Sequence, residues 1–243
     1  MQFIEAANYT KVNRSKVNFI VIHDEEFPEK PDSAESVANF FHNQPKNPSS
    51  NSSVNNPPGP GGSSAHYVVD NNSVVQCVKD EHAAWDAPPN LTQPHIGIEH
   101  SGFASQTREQ WLDDYGKKML HLSAKLVAKK CVKYNIPVAK ISADDLKAGK
   151  RGICGHADVS AAFGMSSHSD PGEHFPWGWY IERVERAKNV YVQYLAQGKD
   201  GKTIAKSKVV RASNARAFLR FLKDNAEKLR KNLGVRIKKV RRF

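Results

Sequence analysis

The run VNFIVIH at residues 17–23 constrains the fold more than any other part of the chain. It is almost entirely apolar and β-branched or aromatic, so an extended backbone here must be covered on both faces, as in the interior strand of a sheet with helices on either side. The run stops at a polar sequence, His23-Asp24-Glu25, which makes the end of this strand a natural place for a site.

The rest of the pattern agrees with a layered α/β arrangement. Asp32 and Ser33 can cap a short helix carrying Val37, Phe40 and Phe41. Residues 44–64 lack periodicity and packable surface and read as a long surface loop. Two short strands, 66–70 and 73–78, flank the Asn71-Asn72 turn as a hairpin. HIGIEH at 95–100 puts Ile96 and Ile98 on one face and His95, Gly97 and Glu99 on the other, so Glu99 is expected to face a cleft from a rigid strand. Thr107 and Gln110 form a capping-box pattern that opens one helix over 107–134, ended by Asn135-Ile136-Pro137, and a shorter helical turn runs from Ser142 to Gly149. Strands followed by helices predict a mixed central β-sheet covered by helices.

Charge divides the chain. Over 243 residues the net charge is +11, yet residues 1–188 hold 20 basic and 22 acidic side chains, net −2, and residues 189–243 hold 16 and 3, net +13. This predicts a nearly neutral main domain, 1–188, and a basic C-terminal module, 189–243, suited to a polyanion. Within the module, 190–197 and 203–210 read as a hairpin, a helix follows from Ser213-Asn214 to Leu229, and VRIKKVRRF closes a small ββαβ-like unit. No apolar stretch approaches the roughly 20 residues of a membrane span, and the charged N-terminal region does not read as a signal peptide. Cys77, Cys131 and Cys154, odd in number and widely spaced, read as buried thiols without a disulfide framework.

Three features collect the chemistry: His23 at a strand end, His156 in GICGHADVSAAF, and Asp170 in HSDPGEHFPW. Two imidazoles and a carboxylate suit catalytic zinc, which accepts nitrogen and oxygen and keeps a fourth position for water. Taken singly, each also has an ordinary structural explanation: a polar strand end, a helix start and an aspartate turn.

In one order and at consistent spacings, VIH at 21–23, SSAHYVVD at 63–70, AW at 84–85, IGIE at 96–99, GHADVS at 155–160 and SDPGEHFPW at 169–177 resemble the zinc-dependent N-acetylmuramoyl-L-alanine amidase family, which includes type-2 amidases of phage lysins and the peptidoglycan recognition proteins. The resemblance covers roughly residues 15–185. It implies hydrolysis of the amide between N-acetylmuramic acid and L-alanine of the stem peptide, with one zinc ion held by His23, His156 and Asp170 and with Glu99 handling the water proton. Trp85 either lines the glycan or peptide groove or packs as a buried aromatic, His66 is a candidate substrate contact, and Asp158, two residues after His156, is a candidate to orient its ring rather than to bind metal. His168 stands where many relatives have lysine; an imidazole there assists an oxyanion only when protonated or in the right tautomer, so activity is expected to fall as it deprotonates. Two other departures are Ala65, before His66-Tyr67 where the phage-lysozyme branch has a tyrosine, and Asp86, where AWH is common.

Together with the missing signal segment, the low-complexity loop and the basic module, the resemblance implies a phage or prophage endolysin, held as a monomer in the host bacterial cytoplasm until release to the wall, with the module on anionic wall polymers. The competing readings are a muropeptide-recycling amidase, for which a +13 extension has little use, and a non-catalytic peptidoglycan-binding protein, against which the retained His23, His156, Asp170 and Glu99 argue. A nucleic-acid binder is the third, suggested by Tyr191, Tyr194, Phe218, Phe221 and Phe243 among the basic residues, but no base-reading motif accompanies them and no specific nucleic acid is expected.

Overall fold

The computed structural model describes residues 1–47, 62–90, 92–188, 191–198, 200, 202–206, 210–211, 215–231 and 236–241. In chain order the elements are β1 (Gln2–Phe3), β2 (Tyr9–Thr10), β3 (Phe19–Ile22), α1 (Ser33–Asn43), β4 (Tyr67–Val69), β5 (Val74–Gln76), β6 (Ala83–Ala84), β7 (His95–His100), α2 (Arg108–Trp111), α3 (Asp114–Tyr134), α4 (Ala143–Lys147), β8 (Ile153–Gly155), α5 (His156–Phe163) and α6 (Trp177–Lys188). They are followed by β9 (Tyr191–Gln197), β10 (Thr203–Lys206), β11 (Val210–Arg211), α7 (Ala215–Asp224), α8 (Ala226–Lys231) and β12 (Arg236–Arg241).

Six strands form a mixed sheet in the order β1-β5-β4-β7-β3-β8. The hairpin β4/β5 is antiparallel, while β4, β7, β3 and β8 run parallel. As the apolar run requires, β3 lies between two neighbours and is buried throughout. Its alternate residues serve two cores: Ile20 and Ile22 pack with Ile96, Ile98, Met119, Leu120, Val127 and Tyr180 beneath α3 and α6. Phe19 and Val21 pack with Ile141, Leu146, Cys154 and Val159 on the opposite face. On that second face α1 also packs, with Ala34, Val37, Ala38 and Phe41 against Val68, Val75 and Cys77. All three cysteines are free and buried.

Three local expectations change. The helix expected over 107–134 is two helices: Asp113 caps α3 by accepting from the Gly116 N–H at 2.7 Å, and a Cβ at Gly116 would stand 2.3 Å from the Trp111 carbonyl oxygen, so the close turn requires glycine. Asp32 does not cap α1 with its side chain; it takes a left-handed conformation (φ 62°), and Asp70 instead accepts from the Ala34 N–H at 3.2 Å. The helix expected to run to Leu229 is divided into α7 and α8 at Asn225, whose side-chain amide donates to the Phe221 carbonyl at 2.9 Å. Of the loop expected over 44–64, residues 48–61 lie outside the described residues; Gln44 is tied to Ser63 by a 2.9 Å hydrogen bond.

In the C-terminal segment β9 is central, pairing antiparallel with β10 and β11 and with β12. Ala196, Ala205 and Phe221 form a small core of their own. Phe218 and Phe221 therefore belong to packing rather than to an exposed aromatic surface. Phe243 lies outside the described residues. No helix among the described residues is long and apolar enough to cross a membrane.

Candidate active site and metal centre

Three parallel strands bring the distant motifs together. His23 follows β3, His156 follows the adjacent β8 as the first residue of α5, and Glu99 lies near the end of β7. In open α/β sheets this carboxyl edge is where ligands bind, because the loops diverge there and leave a crevice. The crevice here is a cleft of about 1260 Å³. His23, Trp85, Glu99, His156, His168 and Asp170 all line it.

His23, His156 and Asp170 each present a ligand atom within 4.8 Å of the others, and all three residues are buried. The Asp170 carboxylate lies between the imidazoles: Oδ2 is 2.9 Å from His23 Nδ1 and Oδ1 is 3.2 Å from His156 Nδ1. The His23 and His156 rings meet edge to face, 4.8 Å between centroids. On its far side His156 Nε2 is 3.1 Å from Ser166 Oγ, which is in turn 2.6 Å from Ser160 Oγ.

The donor chemistry fits a zinc ion: two neutral-capable imidazoles and a carboxylate, in a cleft open to solvent. The surrounding polar atoms support the same fit. Asp24 Oδ2, Asp86 Oδ2, Glu99 Oε2 and His23 Nε2 are buried without a hydrogen-bond partner. Burial opposes charge on His23, but Glu99, Asp170 and Asp86 outweigh it and push the imidazole up to about 10. Burial pushes the Glu99 carboxyl up to about 8, with Asp170, Asp86 and Asp24 adding to the shift and His23 opposing it. Burial would raise Asp170 as well, yet the two imidazoles hold it well below the usual carboxylate range. The site thus concentrates carboxylates around two imidazoles, an environment that favours a cation.

His168 stacks on His156 with centroids 4.3 Å apart and an 8° interplanar angle, and its Nδ1 is 3.6 Å from Asp170 Oδ1. Its side chain is 65% exposed, so it stands at the rim of the donor set and can reach a bound molecule. Trp85 is half-buried on the cleft wall, its indole N–H donating to Thr10 Oγ1 at 2.9 Å.

Two expectations about supporting residues are corrected. His66 is fully buried and does not line the cleft; its Nδ1 accepts from the Gly97 N–H at 3.1 Å and its Nε2 is 2.9 Å from an Arg14 nitrogen, so it supports the strand rather than touching substrate. Asp158 does not orient the His156 ring. It caps α5 by accepting from the Gly155 N–H at 2.8 Å and pairs with Lys140 Nζ at 2.8 Å, leaving Ser166 as the group on His156 Nε2. Arg14, which reaches Asn90, His66 and the His95 carbonyl from beneath, carried no motif signal in the sequence because its role depends on residues 52 to 81 positions away.

The family model for N-acetylmuramoyl-L-alanine amidase matches residues 13–173. The chain belongs to the N-acetylmuramoyl-L-alanine amidase family. It is accordingly an amidase of the peptidoglycan-cleaving class. A comparison with curated protein sequences finds no match. Among solved structures the chain is similar to the hydrolase AmiA of Staphylococcus aureus in complex with its ligand (14% identity, 76% of this chain and 83% of that one, TM-score 0.49). It is also similar to a mutant endolysin from Bacillus subtilis (16%, 75% and 97%, TM-score 0.49) and to the catalytic domain of XlyA (15%, 76% and 99%, TM-score 0.48). At these identities and scores the structures add nothing to the assignment, which rests on the family match.

Proposed function

We propose that the chain is a zinc-dependent hydrolase of the amide between N-acetylmuramic acid and L-alanine, used as an endolysin against the host wall. The observation that carries this reading is the convergence of His23, His156 and Asp170 at one carboxyl edge, in a cleft that also receives Glu99. When bound, zinc supplies Lewis acidity toward the scissile carbonyl and makes water more acidic. An amide is a poor electrophile with a poor leaving group, so proton handling must accompany that polarisation.

Glu99 is the group for this work: it lies on a strand, faces the cleft and has a carboxylate oxygen with no other partner. It accepts the proton of the attacking water and passes it to the departing nitrogen. His168 donates a hydrogen bond to the oxygen on which negative charge develops. Phe27, Phe40, Trp85, Pro88 and Met165 give the cleft apolar walls for the glycan or peptide flanking the bond.

The division into an amidase domain, 1–188, and a basic module, 189–243, gives the net charge of +13 a use: holding the enzyme, acting as a monomer, on anionic wall polymers. An endolysin of this kind waits in the host cytoplasm and reaches the wall after the membrane is breached. The decisive test joins metal analysis of the purified chain to mass spectrometry of digested peptidoglycan, with Glu99→Ala as control. Intact glycan strands, free stem peptides and one zinc per chain support the reading; sugar-chain fragments, or no new L-alanine amino termini, overturn it.

A further inference from the structure

Asp86 follows β6 and lies beneath the metal-ligand cluster with its carboxylate fully enclosed. Its two oxygens have different surroundings. Oδ1 receives the Asn90 side-chain amide at 3.0 Å and lies 3.1 Å from His95 Nε2, which fixes the direction of the carboxylate. Oδ2 is buried with no hydrogen-bond partner and lies over Gly97 of β7, where a Cβ would stand 1.6 Å away; only glycine leaves room for it.

Two imidazole nitrogens face that oxygen, His23 Nε2 at 3.8 Å and His66 Nδ1 at 4.0 Å. His66 Nδ1 already accepts the Gly97 N–H and therefore has a lone pair, not a proton, on this side. His23 Nε2 has no hydrogen-bond partner of its own. A buried donor and a buried acceptor that face each other, each lacking any alternative, carry the full desolvation penalty until they pair. A displacement under about 1 Å brings this pair to hydrogen-bond length.

We propose that Asp86 is a positioning residue for the metal centre: in the metal-loaded chain it accepts a hydrogen bond from His23 Nε2–H, and so leaves His23 Nδ1 as the nitrogen that would hold the metal together with Asp170 and His156. The inference rests on the reading of His23, His156 and Asp170 as ligands. It gives His23 the counterpart of the Ser166 contact on His156, so that both imidazoles use Nδ1 toward the cluster and Nε2 toward a fixed outer partner. Arg14 and His66, packed on the far side, stiffen the same assembly through Asn90 and Gly97.

The test uses the full chain and zinc ion alone. Zinc affinity is measured by chelator competition for wild type, Asp86→Ala and Asp86→Asn, and the ¹⁵N imidazole spectrum of wild type is recorded with zinc bound. The expected result is a 10- to 100-fold weaker affinity in Asp86→Ala. Partial recovery is expected in Asp86→Asn, which keeps an acceptor, together with a His23 resonance pattern showing a protonated Nε2. Equal affinity in a folded Asp86→Ala, or a His23 that carries zinc on Nε2, overturns the proposal. Should Asp86→Ala fail to fold, the wild-type spectrum decides alone. A wild type that takes up no zinc removes the metal-centre reading as well, whereas zinc uptake indifferent to Asp86 removes only this inference.

Discussion

Glu99 combines three properties that no other carboxylate in the cleft shares: a strand backbone, a place on the cleft wall and a buried oxygen without a hydrogen-bond partner. Glu99→Gln keeps the shape and removes the proton acceptor, so turnover should fall by about 10²- to 10⁴-fold, read as release of new L-alanine amino termini. Zinc content measured on the same preparation should not change. His168 gives a different signature, because it acts on developing charge at the rim: His168→Ala should lower kcat more than it raises KM. His168→Lys, which keeps a hydrogen-bond donor at the same rim position, should recover part of the lost kcat; equal kcat in wild type and His168→Ala would remove the role. His23, His156, Asp170 and Glu99 were legible in the sequence as candidates, His23 at the end of an apolar run and all four in the motifs that carry the family resemblance. The Ser166 and Asp86 contacts were not, since a serine or an aspartate in a loop shows its partner only once the loops are folded over the strands.

At the level of elements, α3 is tied to the hairpin by one buried carboxylate. Asp80 receives Lys130 Nζ on both oxygens at 2.7 Å, Lys133 Nζ at 2.7 Å and the hydroxyls of Tyr67 and Tyr134 at 2.6 and 2.8 Å. Burial would raise this carboxyl, but the two ammonium groups hold it well below the usual range. Asp80→Asn leaves Lys130 buried without its counter-charge and should cost about 3–5 kcal/mol in chemical denaturation. Lys130→Met together with Asp80→Asn should cost less than Asp80→Asn alone. The period of the apolar residues announced α3, and the capping box announced its approach; the interruption at Leu112-Asp113 was hidden because Trp111 and Tyr115 keep helical spacing across it.

For the molecule as a whole, pH should act through imidazoles buried as neutral groups. Burial, with Arg14 adding to it, pushes His66 down to about 3, and burial pushes His100 down to about 4. His100 bridges the sheet to α3 and α6, its Nε2 2.6 Å from Ser123 Oγ, which is 2.6 Å from the Tyr180 hydroxyl. In the unfolded chain both groups titrate near 6.5, so on acidification the unfolded state takes up protons that the folded state does not. The stability that these two neutral imidazoles supply is therefore complete above about pH 6.5 and is lost as the pH drops toward their folded values, on the order of 3 kcal/mol for each group by pH 4. Denaturant midpoints between pH 7 and 4 check this, and a folded His100→Asn variant should show a shallower decline. Charge acts at the same scale: if residues 189–243 anchor the enzyme, binding of the full chain to purified wall should weaken steeply with salt. Retention of wall binding after deletion of 189–243 would assign the anchoring to the cleft domain instead.

By itself the sequence determined the alternation and apolar runs of the strands, the helix periods and the charge division at residue 188, because these are carried by the residue types in each local stretch of chain. Tertiary structure alone decided that His23, His156 and Asp170 meet, up to 147 residues apart in the chain, and that Asp86 lies beneath His23 while His66 is shut away from the cleft. The physical reason is the parallel order β7-β3-β8: it sets three strand ends side by side, and which loop side chains then face one another follows from packing across the sheet, which no local pattern encodes.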